Sequence, residues 1–263
     1  MRPTRQPRRT FLQRSAGAVA ALAAAGVARP VEAQQELPWT ALGFSQGGLP
    51  LIVHRLGDGP RRILILGGQH GAPEANTIKL TQALMADLTA NRADLPLGVG
   101  VDFLPITNPD GAASGSRQYL SGVDPNRNWD GPDWRTDAYD SNAQFVPGLG
   151  GPRPFSEQET RALADWILAN PPMLIINFHS AGGFMFGNRE GPGARFTQAF
   201  AEATGYRVPT PGAGSPLPYR ATGSMGAWQR TVGVDGIFVE LSTPWDPEIA
   251  RNVEGVRAVL RAV

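Results

Sequence analysis

Apolar residues fall along the chain in short continuous runs that alternate with longer stretches of helical period. "LPLIVHRL" (49–56) and "RRILILGG" (61–68) read as adjacent strands joined by the turn "GDGP". A helix is predicted from about Pro73 to Thr89, because Pro73 suits a first helical position, where its missing N–H costs nothing. "VGVDFLPI" (99–106) reads as a buried strand. "SEQETRALADWILAN" (156–170) opens with Ser156 and Glu159 in capping-box spacing and continues at helical period, which predicts a second helix. "MLIINF" (173–178) reads as an apolar run of the kind found in strands covered on both faces. "GIFVEL" (236–241) is another, interrupted by Glu240, and the C-terminal "PEIARNVEGVRAVLRAV" reads as an amphipathic helix. Strands alternating with helices predict an α/β fold: a single domain with a mixed, mostly parallel central sheet flanked by helices. In such sheets ligands gather at strand ends near the switch in strand order, so strand-end polar residues are the ones to examine.

The first 33 residues depart from this pattern. Arg8 and Arg9 precede Phe11-Leu12, an Ala-rich run follows, and Val31-Glu32-Ala33 closes it with a small-residue cleavage site. This reads as a signal peptide of twin-arginine type, recognised by the twin-arginine export machinery rather than acting as an anchor. The run is too short and too rich in Ala for a stable span. The expectation is an exported protein, periplasmic or extracellular, with no permanent membrane anchor and one domain over residues 34–263. The segment holds six of the 24 basic residues and one of the 23 acidic, leaving 18 against 22, a net charge of −4. No basic patch of the nucleic-acid type is left. Cysteine is absent, so any metal site must use His and carboxylate ligands, and the only histidines are His54, His70 and His179.

Three strand ends carry suggestive groups. "LILGGQHGAPE" runs from a strand through two glycines to His70, with Glu74 in the first helical turn. "LIINFHS" ends a strand with His179, and "GIFVELS" sets Glu240 inside an apolar run. Taken singly, each has an ordinary explanation: a structural strand-end histidine, a carboxylate at a helix N-terminus, a buried acid paired with an arginine. Jointly, two imidazoles and a carboxylate match the ligand set of a catalytic zinc site, and a second carboxylate nearby can act as base. His54 is given no role. "GVDPNRNWD" (122–130) is either a polar turn or a fork of hydrogen-bond donors suited to a carboxylate.

From about residue 60 to 245 the chain resembles the zinc carboxypeptidases, the carboxypeptidase A-like metallopeptidases. The resemblance rests on "NPDG" (108–111), Arg117, "GVDPNRNWD", "PFSEQET" (154–160), "FHSAGG" (178–183) and "FVEL" (238–241), in family order. The short mature chain and "GSMGAW" (223–228) look closer to the bacterial murein-peptide amidase branch. The resemblance implies His70, Glu74 and His179 as ligands of one Zn2+ per chain, with Asp124 accepting the free N–H of His70. It implies Glu240 as general base and Arg117 as stabiliser of the oxyanion. Asn126 and Arg127 would bind the substrate's terminal carboxylate, Tyr219 would contact substrate, and Met225 would lie near the base of the side-chain pocket.

One departure stands out. The family's first metal motif is His-x-x-Glu, whereas "HGAPE" sets His70 and Glu74 one residue further apart. The expectation is a longer loop from which Glu74 still reaches the metal. An apolar Met225 argues against a terminal Lys or Arg, and the resemblance suggests a murein peptide cut at its diaminopimelate, or a peptide with an apolar C-terminal residue. Two other readings remain at this stage: a zinc-dependent N-acyl amino acid deacylase of the aspartoacylase or desuccinylase type, and an exported protein that binds peptide termini without cleaving them.

Overall fold

The computed structural model describes residues 37–210 and 216–263. The export segment expected at residues 1–33 lies outside the described residues. The strands are β1 (Trp39–Phe44), β2 (Pro50–Leu56), β3 (Arg61–Leu66), β4 (Val99–Leu104), β7 (Leu174–Ser180), β8 (Phe184–Gly187) and β9 (Asp235–Leu241), with a separate two-residue pair β5 (Ala138–Tyr139) and β6 (Phe145–Val146). The helices are α1 (Ala75–Ala90), α2 (Pro109–Ser114), α3 (Gln158–Ala169), α4 (Ala194–Thr204), α5 (Met225–Thr231) and α6 (Ile249–Arg261). The main sheet has the order β1-β2-β4-β3-β7-β9-β8, parallel from β4 to β9 and antiparallel at both margins. This is the expected α/β architecture.

Both faces of the central strands are covered, which explains their continuous apolar runs. Side chains alternate along a strand, so Ile63 and Ile65 of β3 join one core with Leu80 and Leu84 of α1, Phe200 of α4 and Val256 of α6. Leu64 and Leu66 join the opposite core with Leu163 and Ile167 of α3 and Trp228 of α5. The same alternation decides where the chemistry points. Ile176, Phe178, Ile237 and Val239 belong to the first core, so Asn177, His179, Phe238 and Glu240 face the side of α3 and α5.

Three local expectations change. β2 and β3 are not neighbours, because β4 lies between them and pairs with both. Four successive residues of β3, Ile63 to Leu66, are buried, a requirement only an interior strand meets, whereas β2 alternates in exposure as a strand near the margin should. The capping box of α3 does not form: Glu159 accepts the backbone N–H of Gln46 (2.8 Å) and Ser156 donates to Glu157 (2.7 Å). Tertiary partners outcompete the local cap. Finally, α1 begins at Ala75, and Pro73 sits instead in a 3-10 turn over Ala72–Glu74. Among the described residues no helix is long and apolar enough to cross a membrane.

Candidate metal centre and its cleft

His70 lies on the turn that leaves β3. Gly68 and Gly71 take positive φ there (62° and 55°), and a Cβ on Gly71 would collide with the backbone of Gly111 and Ser116. The turn is tied down by Thr107 and Asn108, whose N–H groups donate to Gly67 and Gly68 carbonyls (both 3.1 Å). The 3-10 turn then carries Glu74 back over the imidazole, which accommodates the extra residue in "HGAPE". Its Oε1 lies 2.7 Å from His70 Nδ1 and its Oε2 3.3 Å from Nδ1 of His179, near the end of β7. All three residues are buried. The extra residue thus leaves Glu74 in reach of both rings.

The two Nδ1 atoms are 3.3 Å apart, and one ligand atom from each of the three residues falls within 4.8 Å of the others. Two imidazole nitrogens at that distance share at most one proton, and a carboxylate offers only acceptors. A divalent cation satisfies all three lone pairs at once, so the donor set fits zinc as the resemblance requires. Glu240 of β9 is the parallel partner of His179 of β7, and the shared register sets both on one face of the sheet. Burial pushes its carboxyl up to about 7; His179 opposes the rise and Glu74 adds to it.

Asp124 is fully buried, its Oδ1 3.4 Å from His70 Nε2 and 2.7 Å from the N–H of Asn126. Burial favours its neutral form, but Arg117 and His70 outweigh that and hold its carboxyl well below the usual carboxylate range. Arg117 donates from Nε to Asp124 (3.0 Å) and from Nη1 to Glu74 (3.0 Å), and its Nη2 is 3.0 Å from His70 Nε2. All three nitrogens are thereby occupied. Asp124 is an acceptor for a protonated Nε2, and Arg117 a donor to a bare one, so the two serve opposite tautomers of His70.

His70, Glu74, Arg117, His179 and Glu240 line a cleft of about 490 Å³ together with Asn126, Arg127, Tyr219 and the exposed face of α5. The "NRNW" run divides its labour. Asn128 donates to Gly150 O and to Ser156 Oγ (both 2.8 Å), and the buried Trp129 donates to Pro125 O (2.9 Å), so these two build the loop. Arg127 is 1% exposed; Nε and Nη1 donate to the carbonyls of Tyr139 and Asn126, while Nη2 is buried without a partner. An orphaned buried guanidinium nitrogen in a cleft is costly unless a ligand meets it. Tyr219 lies over this guanidinium, 5.3 Å from its ring centroid. Asn126 Oδ1 accepts the N–H of Met225 (2.9 Å).

Met225 is a correction. It is fully buried in the core beneath α5, with its sulfur 3.6 Å from Asn177 Nδ2, and does not line the cleft. Ser224, Gly226 and Arg230 do so instead. Sequence reasoning also missed the buried pair Gln69 and Asn177 (2.8 Å), which ties the His70 turn to β7 and, through Gln69, to Pro125 (3.1 Å). The signal was present: Asn177 is the lone polar residue in "MLIINF".

Residues 39–190 match the family profile described as zinc carboxypeptidase, more than half of the chain. The chain belongs to that family. Murein peptide amidase A of Escherichia coli K12 is 29% identical over 188 residues, covering 67% of this chain and 69% of its own. Carboxypeptidase B of Astacus astacus is 31% identical over 163 residues, 53% and 52% of the two chains. The crystal structure of a murein-tripeptide amidase from Escherichia coli O157 superposes with a TM-score of 0.67 at 24% identity, covering 89% of this chain and 96% of that one. The protein is a hydrolase of peptide bonds, and neither the deacylase nor the binding-only reading is favoured by these likenesses.

Proposed function

We propose that this protein is an exported zinc carboxypeptidase that removes the C-terminal residue from peptides with a free carboxylate, murein peptides ending in diaminopimelate among them. One observation carries the reading: His70, Glu74 and His179 converge on one point, with Glu240 in register beside them and the orphaned Nη2 of Arg127 in the same cleft. The murein assignment is supported by the amidase likenesses, and export by the N-terminal twin arginine.

His70, Glu74 and His179 would hold one Zn2+, which acidifies water and polarises a carbonyl oxygen when bound. Glu240 takes the proton from the water whose oxygen adds to the scissile carbonyl carbon. It returns that proton to the leaving nitrogen as the C–N bond breaks. Were Glu74 to serve as a ligand, Arg117 would be placed to donate to the carbonyl oxygen as negative charge develops there. Asp124 accepts Nε2–H of His70 and keeps its Nδ1 lone pair toward the site. Asn126 and Arg127 hold the terminal carboxylate, a planar guanidinium matching it as a lysine could not, and Tyr219 covers it.

The test is metal analysis of the purified protein, then incubation with murein tripeptide and a C-terminal residue peptide library, with and without a chelator, with products identified by mass. About one zinc per chain and chelator-sensitive release of single C-terminal residues are expected. Zinc-free protein, or products cut internally, would refute the reading.

A further inference from the structure

The cleft is more cationic than a single terminal carboxylate requires. Besides Arg127 it is lined by Arg230, in the last turn of α5, whose exposed guanidinium has neither an acid partner nor a hydrogen bond among the described residues. One helical turn earlier on the same face, Gly226 offers no side chain, so the space before Arg230 stays open. A Cβ added at Gly226 would press on the Phe238 ring, its nearest neighbour at 3.3 Å. Acids do not balance this cation: among the described residues the only two lining the cleft, Glu74 and Glu240, are at the metal centre, and Glu74 is already engaged by both imidazoles and Arg117.

We infer that Arg230 is a specificity-determining residue that selects terminal residues whose own side chain carries a carboxylate. Within the proposed carboxypeptidase reading, on which this rests, the substrate class is a peptide ending in glutamate, aspartate or the carboxylate-bearing side chain of diaminopimelate. The two carboxylates of such a residue meet two separate arginines, Arg127 and Arg230. The expectation of an apolar terminal residue, drawn from Met225, loses its basis because that side chain lies in the core. A terminal Lys or Arg side chain would meet a like charge with no acid to receive it.

The test compares free-acid peptides ending in Glu and in its neutral isostere Gln, cleaved by the parent protein and by Arg230→Gln, Arg230→Lys and Arg230→Glu. A charge-assisted contact corresponds to a preference for Glu over Gln of roughly ten- to a hundredfold in kcat/KM. That ratio should fall towards one in Arg230→Gln, largely survive in Arg230→Lys, and invert in Arg230→Glu. Calorimetry with free glutamate and glutamine gives an independent readout, glutamate binding more tightly only where residue 230 is cationic. Glu and Gln peptides cleaved alike by the parent would overturn the inference and leave the carboxypeptidase reading standing. No cleavage of any peptide, with glutamate binding that still depends on Arg230, would remove the catalytic reading while upholding the subsite. No cleavage with binding indifferent to residue 230 removes both.

Discussion

Replacing Glu240 by Gln keeps the shape of the side chain and removes its charge, and the structure gives that change two opposite consequences. In the metal-free protein, burial raises the Glu240 carboxyl from its ordinary 4.5 to about 7. The folded state therefore holds this proton more tightly than the unfolded chain does. Its favourable contribution is complete below pH 4.5 and is lost as the pH rises through 7. At about 1.4 kcal/mol per pH unit, the displacement sets a ceiling of about 3 kcal/mol at pH 8. Glu240 is only half-buried, and screening by solvent lowers the expected cost to about 1–2 kcal/mol. Gln bears none of it. Metal-free Glu240→Gln should thus melt roughly 2–8 °C above the metal-free parent at pH 8 and together with it at pH 5. The zinc-loaded variant should keep its metal, since Glu240 is outside the ligand set, but lose about 10²- to 10⁴-fold in kcat as its general base disappears. Thermal denaturation at the two pH values, metal analysis and steady-state hydrolysis check the three statements. An unchanged rate would remove Glu240 from the reaction, and equal melting at pH 8 would refute the argument from burial.

The other predictions concern separate parts of the molecule. Arg127→Lys keeps the charge but loses the fork, so KM for free-carboxylate peptides should rise about tenfold or more with a smaller change in kcat, as initial rates on free-acid and amidated peptides would show. Asp124→Asn deprives a protonated His70 Nε2 of its charged acceptor 3.4 Å away, and zinc affinity measured by competition with a chelating dye should fall about 10- to 100-fold. Zinc removal should lower the melting temperature by an amount that grows with the free zinc used in the loaded control, because only the folded chain brings the three ligands together. Far from the cleft, Asp102 is 1% exposed and paired with Arg55 and Arg62, so Asp102→Ala should cost about 3–5 kcal/mol in urea denaturation.

Local order was legible in the sequence wherever one stretch of chain contains its own cause. The runs at 61–66, 99–104 and 174–178 became strands because positions buried on both faces are filled mainly by apolar residues, the buried Asp102 and Asn177 being exceptions that have polar partners. The amphipathic C-terminal stretch became α6, its Val253, Val256 and Val259 against the sheet. His70, Glu74, His179 and Glu240 could be singled out because a polar group at or inside such a run needs a reason. Elements without an internal pattern escaped notice, as the exposed margin strand β1 shows. Neighbours could not be read at all. The insertion of β4 between β2 and β3, and the register that lays Glu240 beside His179, are choices among pairings that each strand alone would tolerate equally. The capping box at Ser156 failed because Gln46, more than a hundred residues away, offered Glu159 a better partner. At the cleft, a seven-residue helix turned Met225 into the core and Arg230 outward, and that rotation is set by what packs beneath α5. Periodicity records how deeply a residue is buried; only the folded chain, by closing long loops, determines what it is buried against.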